Sequence, residues 1–301
     1  MFAILIFGES GHWTLLEIAV ALACLAVLLA FGFGGERMIN ALRRVALPAR
    51  LALPLLLTLP YLVIATADGV FRERWLEVYV AVPLAVTFLL WLATRLDPQQ
   101  RGTWCDLAVL LLLGLAVDLR WFEPAWPAHL HAIGKIVLLD MGLYGFLVIR
   151  GLTHSGIDFK ASLRDVKIGL RELLFYMPIA IPLGIALGFL HVHRVMIPWW
   201  FVLAWLYTVL FIAIPEEMFF RGWMQNLMER RIGRVPALVV TSIVFGLSHF
   251  NKRAVHFNWQ YVLLATIAGI FYGRAWRSDR RIAASAITHA SVDTLWSIWL
   301  R

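Results

Sequence analysis

The chain contains 301 residues, of which 61% are hydrophobic and 15% charged, whereas soluble domains are typically about 45–50% apolar and about 25% charged. This composition excludes a soluble globular enzyme and a disordered chain, and two cysteines in apolar runs provide no disulfide framework. The net charge of +8 is distributed between apolar segments, which is typical of membrane topology signals and not of a nucleic-acid-binding face. The sequence therefore predicts an all-α, polytopic transmembrane helical bundle that lies in a lipid bilayer and binds no nucleic acid.

Ten apolar runs are candidates for membrane-spanning helices. Crossing the hydrocarbon core takes roughly 20 residues, and about 17–25 are tolerated. Because the fourth and eighth runs are short, we expect about 8–10 spans. In chain order the runs are 14–34, 51–67, 76–94, 105–119, 132–149, 173–193, 197–215, 235–250, 259–273 and 282–300.

The longest polar stretch, residues 150–172, is interpreted as an amphipathic cytoplasmic linker. It ends an N-terminal transmembrane region of about five spans (1–172) and precedes a C-terminal domain (173–301) whose core covers about 197–300. Cytoplasmic connections of membrane proteins carry an excess of Lys and Arg. The connections that hold 19 of the 27 Lys and Arg are therefore predicted to be cytoplasmic, with both termini outside; they are 36–50, 95–106, 150–172, 216–234 and 274–281.

Ionisable side chains within apolar segments are functional candidates, because lipid disfavours charge. In the N-terminal region Glu17, Asp118 and Asp140 lie in or near the ends of spans, and we expect them at the membrane interface. The C-terminal domain instead places carboxylates, histidines and an arginine in three of its apolar segments.

The first of these segments ends in the run Glu216-Glu217-Met-Phe-Phe-Arg221. Arg221 follows Glu217 by four residues, so on a helix the two share a face and can form an ion pair. Glu216 then projects about 100° away from Glu217. This geometry leaves Glu216 free to face a cavity.

Two further pairs have the same spacing of four residues, Phe245-x-x-x-His249 and His289-x-x-x-Asp293. A neutral imidazole and a carboxylate in a low dielectric can take a proton from water, so the pattern indicates hydrolysis by an activated water. A polar network that only ties the helices together is one alternative. A proton-coupled transporter is another, although its mark would be paired inverted halves, and here the charges crowd into one half.

In order and spacing, the three motifs resemble those of the CPBP family of intramembrane proteases (CAAX protease and bacteriocin-processing, also called Abi), which includes the type II CAAX prenyl endopeptidases. The resemblance covers roughly residues 197–300. It implies an intramembrane endopeptidase with a membrane-associated protein or peptide substrate, such as a CAAX-like or other C-terminal signal, in the bacterial inner (plasma) membrane. The alternative is a non-catalytic member that acts in bacteriocin immunity or membrane-protein interaction.

Carried over to this chain, the resemblance implies that Glu216 activates the catalytic water with the help of His249. His289 and Asp293 are implied to hold the substrate carbonyl and its oxyanion. The residues implied to support these four are Glu217, Arg221 and Phe245.

Two features of the motifs bear on the chemistry. CAAX-type endopeptidases usually have asparagine where this chain has Asp293, and an ionised aspartate would repel an oxyanion. Asp293 must then be protonated, orient His289, or bind a metal. A zinc ion held by Glu216, His249 and His289 is an alternative, but no His-Glu-x-x-His helix is present, and we favour a glutamate-type enzyme with no cofactor.

The depth of the site depends on where the seventh span ends. An end at Pro215 would leave Glu216 at the cytoplasmic side and His249 at the outer side, separated by most of the bilayer. We therefore expect one long helix from about 199 to 229, roughly 45 Å in length. Such a helix would make Glu216 nearly central and would place the site in the middle to outer half of the membrane.

Overall fold

The computed structural model describes residues 13–193, 195–252 and 256–300. Throughout these ranges the regular secondary structure is helical, with no strand, which confirms the predicted all-α class. Six helices of the described residues are long and apolar enough to cross a membrane. The prediction of a polytopic helical bundle is therefore confirmed.

The chain divides into two compact units, Met1–Thr153 and His154–Arg301. This division falls inside the polar segment 150–172, whose last part, from Leu163, already belongs to a helix. The functional boundary after residue 172 stays a prediction.

The helices of the N-terminal unit are α1 (Leu15–Arg43), α2 (Leu47–Ala67), α3 (Glu73–Leu96), α4 (Trp104–Asp118) and α5 (Ala128–Ile149). The helices of the C-terminal unit are α6 (Leu163–Ala186), α7 (Phe201–Ile232), α8 (Arg234–Leu247), α9 (Trp259–Asp279) and α10 (Ile282–Trp299).

Local sequence signals account for where several of these helices begin. Thr14, Thr103 and Ser162 cap α1, α4 and α6, and each forms a capping box with an acidic residue three positions later. A capping box satisfies backbone N–H groups that the first turn of a helix leaves without partners. The side chain of Asn258 caps α9 in a similar way, by accepting from the backbone N–H of Tyr261 at 3.1 Å.

The six helices that meet the requirements for a span are fewer than the eight to ten predicted. The other four predicted spans correspond to α4, α8, α9 and α10. Helices α4 and α8 contain 15 and 14 residues, which is about 21–23 Å and shorter than the roughly 30 Å of hydrocarbon. Helices α9 and α10 are long enough but less apolar, and from Ile282 to Ala290 every residue of α10 is buried. A helix enclosed by protein does not need an apolar surface on every side.

Of the carboxyl groups expected at the membrane interface, those of Glu17 and Asp140 are buried in the protein. Glu17 accepts a hydrogen bond from the backbone N–H of Thr14 at 2.6 Å and contacts Nε2 of His129 at 2.8 Å. Asp140 in α5 is completely buried, and neither of its carboxyl oxygens has a hydrogen-bond partner among the described residues. Helix packing, which the sequence pattern does not reveal, places both groups inside the protein.

Helix α7 runs without interruption through Pro215, as the expected long helix requires. It contains 32 residues, which corresponds to about 48 Å at 1.5 Å per residue. The predicted span end at Pro215 and the predicted connection over 216–234 are therefore wrong. A proline ring clashes with the carbonyl four residues earlier and removes a hydrogen bond. A wide π-helical turn at Val209–Ala213, immediately before Pro215, makes room for the ring.

Candidate active site

Helices α7 and α8 place the first two motifs at one depth. The helices are antiparallel and joined at Gly233, whose positive φ of 84° favours glycine. Glu216 lies about 24 Å before Ile232 along α7, and His249 lies about 22 Å beyond Arg234 along the line of α8. Residues at equal distances from a tight turn between antiparallel helices lie at the same level. Glu216 and His249 are therefore not separated by most of the bilayer, as a helix end at Pro215 would require.

Glu217 lies at the centre of a buried polar cluster. Its Oε2 atom accepts from Nε of Arg221 at 3.0 Å and from the hydroxyl of Ser285. Its Oε1 atom lies 2.9 Å from Nδ1 of His289. The Glu217, Arg221 and Ser285 side chains have no solvent exposure, so this carboxylate links α7 to α10 inside the protein.

The contact with Glu217 determines how His289 is oriented. An ionised carboxylate can only accept hydrogen bonds, so Nδ1 of His289 carries the hydrogen and donates it. The other ring nitrogen, Nε2, lies 3.8 Å from Oε2 of Glu216 and 3.6 Å from Oδ2 of Asp293. Both distances are too long for a hydrogen bond. Nε2 and the two carboxylates therefore keep bonding capacity for a water molecule or a substrate.

The two adjacent glutamates have opposite environments. The Glu217 side chain is fully enclosed, whereas that of Glu216 is 29% exposed. The Oε2 atom of Glu216 is nevertheless buried and has no hydrogen-bond partner within the described part of the chain. The pairing of Glu217 with Arg221 and the separate direction of Glu216 agree with the geometry expected from their spacing.

His249 is oriented by the backbone of the preceding turn. Its Nδ1 atom lies 2.9 Å from the carbonyl oxygen of Phe245. Because a carbonyl can only accept, Nδ1 carries the hydrogen, and Nε2 keeps its lone pair. The Phe245 ring packs against both imidazoles, with centroid distances of 5.0 Å to His249 and 5.6 Å to His289. Phe245 thus contacts both histidine rings.

A cavity of about 70 Å³ borders these groups within the C-terminal unit. His249, His289 and Asp293 contribute to its wall, whereas Glu216 reaches Nε2 of His289 from α7. Most of the remaining wall is apolar or aromatic, including Tyr176, Phe189, Tyr261, Tyr272 and Trp296. The arrangement combines an apolar binding space with a cluster of carboxylates and imidazoles.

The sequence analysis missed two residues that contact the site. Ser285 donates to Glu217, and its Oγ atom also lies 2.9 Å from the carbonyl oxygen of Tyr272. The ring of Tyr272 stacks on His289 with a centroid distance of 4.5 Å and an interplanar angle of 14°. Ser285 precedes His289 by four residues, which is a detectable signal. No comparable spacing pointed to Tyr272, which is on another helix.

The donor groups do not form a three-ligand metal site. Across the described ranges, no group of three or more His, Cys, Asp or Glu side chains is arranged to hold a metal ion. Nδ1 of His289 is already engaged by Glu217. A reaction without a cofactor stays a proposal.

The segment that contains the three motifs is similar to a known family of proteases. Residues 198–295 match the family model described as Rce1-like, type II CAAX prenyl endopeptidase Rce1-like. The match covers about a third of the chain and contains all three motifs, so the family resemblance inferred from them is confirmed for this segment. Together with six helices that can cross a membrane, it identifies an integral, multi-pass membrane protein. No curated protein and no solved structure is similar enough to count as a match.

Proposed function

We propose that the protein is an intramembrane endopeptidase that hydrolyses a peptide bond in or next to the bilayer with an activated water. The observation that carries this proposal is the convergence of Glu216 and Asp293 on Nε2 of His289, whose Nδ1 atom is tied to Glu217. His289 and Asp293 also line a cavity whose walls are mostly apolar. A base, an oriented imidazole and a binding space are the parts that peptide hydrolysis requires.

Glu216 is proposed as the general base. Its Oε2 atom is buried and has no hydrogen-bond partner among the residues that the structure describes, so it can accept a proton from a water molecule. Nε2 of His249, which keeps its lone pair, accepts a second hydrogen bond from the same water and orients it. The water oxygen then forms a bond to the carbonyl carbon, and the electron pair of the C=O double bond moves to the carbonyl oxygen.

His289 is proposed to stabilise that oxygen as it becomes negative. With hydrogens on both ring nitrogens, it donates through Nδ1 to Glu217 and through Nε2 to the oxyanion. Asp293, with Oδ2 at 3.6 Å from Nε2, orients the ring and balances its charge. This arrangement supports the second of the three roles open to Asp293, because a carboxylate beside the imidazole need not touch the oxyanion.

The reaction ends when the bond between the carbonyl carbon and the amide nitrogen breaks. The nitrogen takes the proton that Glu216 removed from water, which yields one new carboxyl terminus and one new amino terminus. Glu217, Arg221 and Ser285 remain unchanged and hold His289 in position. Preorganised groups of this kind require no rearrangement as charge develops.

The family description suggests a first substrate, a prenylated peptide that ends in a CAAX sequence. The chain, reconstituted in liposomes, is expected to release the C-terminal tripeptide from a farnesylated CAAX peptide. Replacing Glu216 by Gln should lower that rate by about 10²–10⁴, with unchanged unfolding by tryptophan fluorescence. The membrane proposed for this activity is the bacterial inner membrane.

Comparing the wild type with the Glu216→Gln variant also distinguishes a protease from the two alternative functions, a non-catalytic protein and a transporter. A non-catalytic immunity or interaction protein should give no cleavage with either the wild type or the Glu216→Gln variant, on this peptide or on membrane proteins supplied with it. A proton-coupled transporter would lose solute uptake in the variant without any change in peptide termini. Equal cleavage by the wild type and the variant would contradict the role of Glu216.

A further inference from the structure

The two ends of the C-terminal unit differ in charge. One end, which we call the basic end, is formed by the start of α6, the α7–α8 turn and the α9–α10 turn. Its Lys and Arg residues are Lys160, Arg164, Lys167, Arg171, Arg230, Arg231, Arg234, Arg274, Arg277, Arg280 and Arg281. Between α6 and α7 and between α8 and α9, the sequence contains only Arg194, Lys252 and Arg253.

Ion pairs hold the basic end together. Nε of Arg281 lies 2.8 Å from Oδ1 of Asp165, and its Nη1 lies 3.1 Å from Oδ2 of Asp158. The hydrogen bonds that the Arg281 guanidinium donates to Asp165 and Asp158 raise its pKa. Arg280 pairs with Glu229 at 2.6 Å, which ties the α9–α10 turn to α7. A charged surface of this kind belongs in water and not in hydrocarbon.

The cavity lies toward the opposite end of the same helices. On α6 its wall begins at Leu173 and continues to Leu190 beyond the helix end, and on α10 it runs from His289 to Leu300. No Lys or Arg of the basic end contributes to it. The opposite end also exposes aromatic side chains, with Trp199 87% exposed, and aromatic residues are typical of a membrane interface.

Together, these two observations orient the site. The Lys- and Arg-rich end of a membrane domain lies in the cytoplasm, so the cavity, at the other end, is directed away from it. We infer that the cavity is reached from the extracytoplasmic side, and that the substrate is an exported or outward-facing polypeptide segment with an apolar stretch beside the scissile bond. This inference rests on the proposed function, because it concerns the substrate of that site.

Cysteine labelling of the full chain in intact cells tests the orientation. Cys24 and Cys105, both buried in the N-terminal unit, are first replaced by Ala. A cysteine is then introduced at Met196, which is 90% exposed near the cavity end, or at Ala161, which is exposed at the basic end. A membrane-impermeant maleimide should label the Met196→Cys variant in intact cells. It should label the Ala161→Cys variant only after the cells are permeabilised.

The opposite labelling pattern would overturn the inference, and labelling of both variants in detergent controls for thiol access. A second measurement compares new protein termini in cells that express the wild type or the Glu216→Gln variant. New termini that depend on Glu216 and lie on the extracytoplasmic side support the inference, whereas cytoplasmic ones contradict it. If no termini depend on Glu216, the proposed function fails, and labelling alone still decides how the cavity is oriented.

Discussion

Replacing glutamate by glutamine should have different effects at the two adjacent positions 216 and 217. At 217 it should lower the free energy of unfolding, and at 216 it should lower the rate of peptide cleavage. Glu217 is the partner of the buried Arg221, whose Nη1 and Nη2 atoms have no hydrogen-bond partner in the part of the chain that the structure describes. The Glu217→Gln variant therefore leaves a buried positive charge without compensation. Removing one partner of a buried ion pair typically costs about 3–5 kcal/mol in the free energy of unfolding.

The Glu216→Gln variant should behave differently because Glu216 is partly exposed and, within the described ranges, its Oε2 atom has no hydrogen-bond partner to lose. Substitutions at such positions usually change the free energy of unfolding by no more than about 0.5 kcal/mol. Its effect should appear in the rate of peptide cleavage, because removal of a general base lowers the rate by a factor of about 10²–10⁴. The two variants should therefore change different quantities: Glu217→Gln the free energy of unfolding, and Glu216→Gln the rate of cleavage.

Denaturant titration in detergent micelles, followed by tryptophan fluorescence, gives the free energy of unfolding by linear extrapolation. The Glu217→Gln/Arg221→Met double variant is the matched control, because removing both charges should recover most of the stability lost in the single variant. Equal stability losses at positions 216 and 217 would refute the assignment of the buried ion pair. So would a double variant less stable than Glu217→Gln alone.

Three further changes test the surroundings of His289 and the role of metals. The Ser285→Ala variant should lose about 1.5–3 kcal/mol of stability, because it removes a hydrogen bond to a buried carboxylate; wild-type unfolding would contradict that contact. The Asp293→Asn variant should keep cleavage within about tenfold of the wild type, because an amide of the same shape can still lie beside the imidazole and orient it, whereas Asp293→Ala should lose about 10²–10³. Wild-type cleavage by the alanine variant would exclude the orienting role. Treatment with a chelator should leave the rate of cleavage unchanged, and activity lost in chelator and restored by zinc would show a metal enzyme.

The spacing of residues along single helices was predicted correctly. Glu217 contacts Arg221, and His289 lies beside Asp293, as four-residue spacing on a helix requires. The three motifs also predicted the protease family that residues 198–295 match. Each of these results depends only on residues close together in the chain, for which helix geometry alone sets the neighbours.

The composition was less informative about the number of spans and their ends. Reading Pro215 and the two glutamates after it as a helix end follows the usual rules for proline and charge. In the structure, a π-helical turn accommodates the proline, and contacts with α10 accommodate Glu217. Helices α9 and α10 are likewise less apolar than a lipid-facing span because other helices surround them.

The sequence by itself determined that the chain is a helical membrane protein and that its candidate catalytic charges lie in the last third. Only the tertiary structure decided that Glu217, and not Glu216, is enclosed, and that it contacts Ser285 and His289 about 70 residues away along the chain. Hydrophobicity and helix periodicity are local properties, whereas the side chain that meets each helix face depends on the packing of distant segments. That packing joins the first and third motifs in one polar cluster and brings the second motif to the wall of the same cavity.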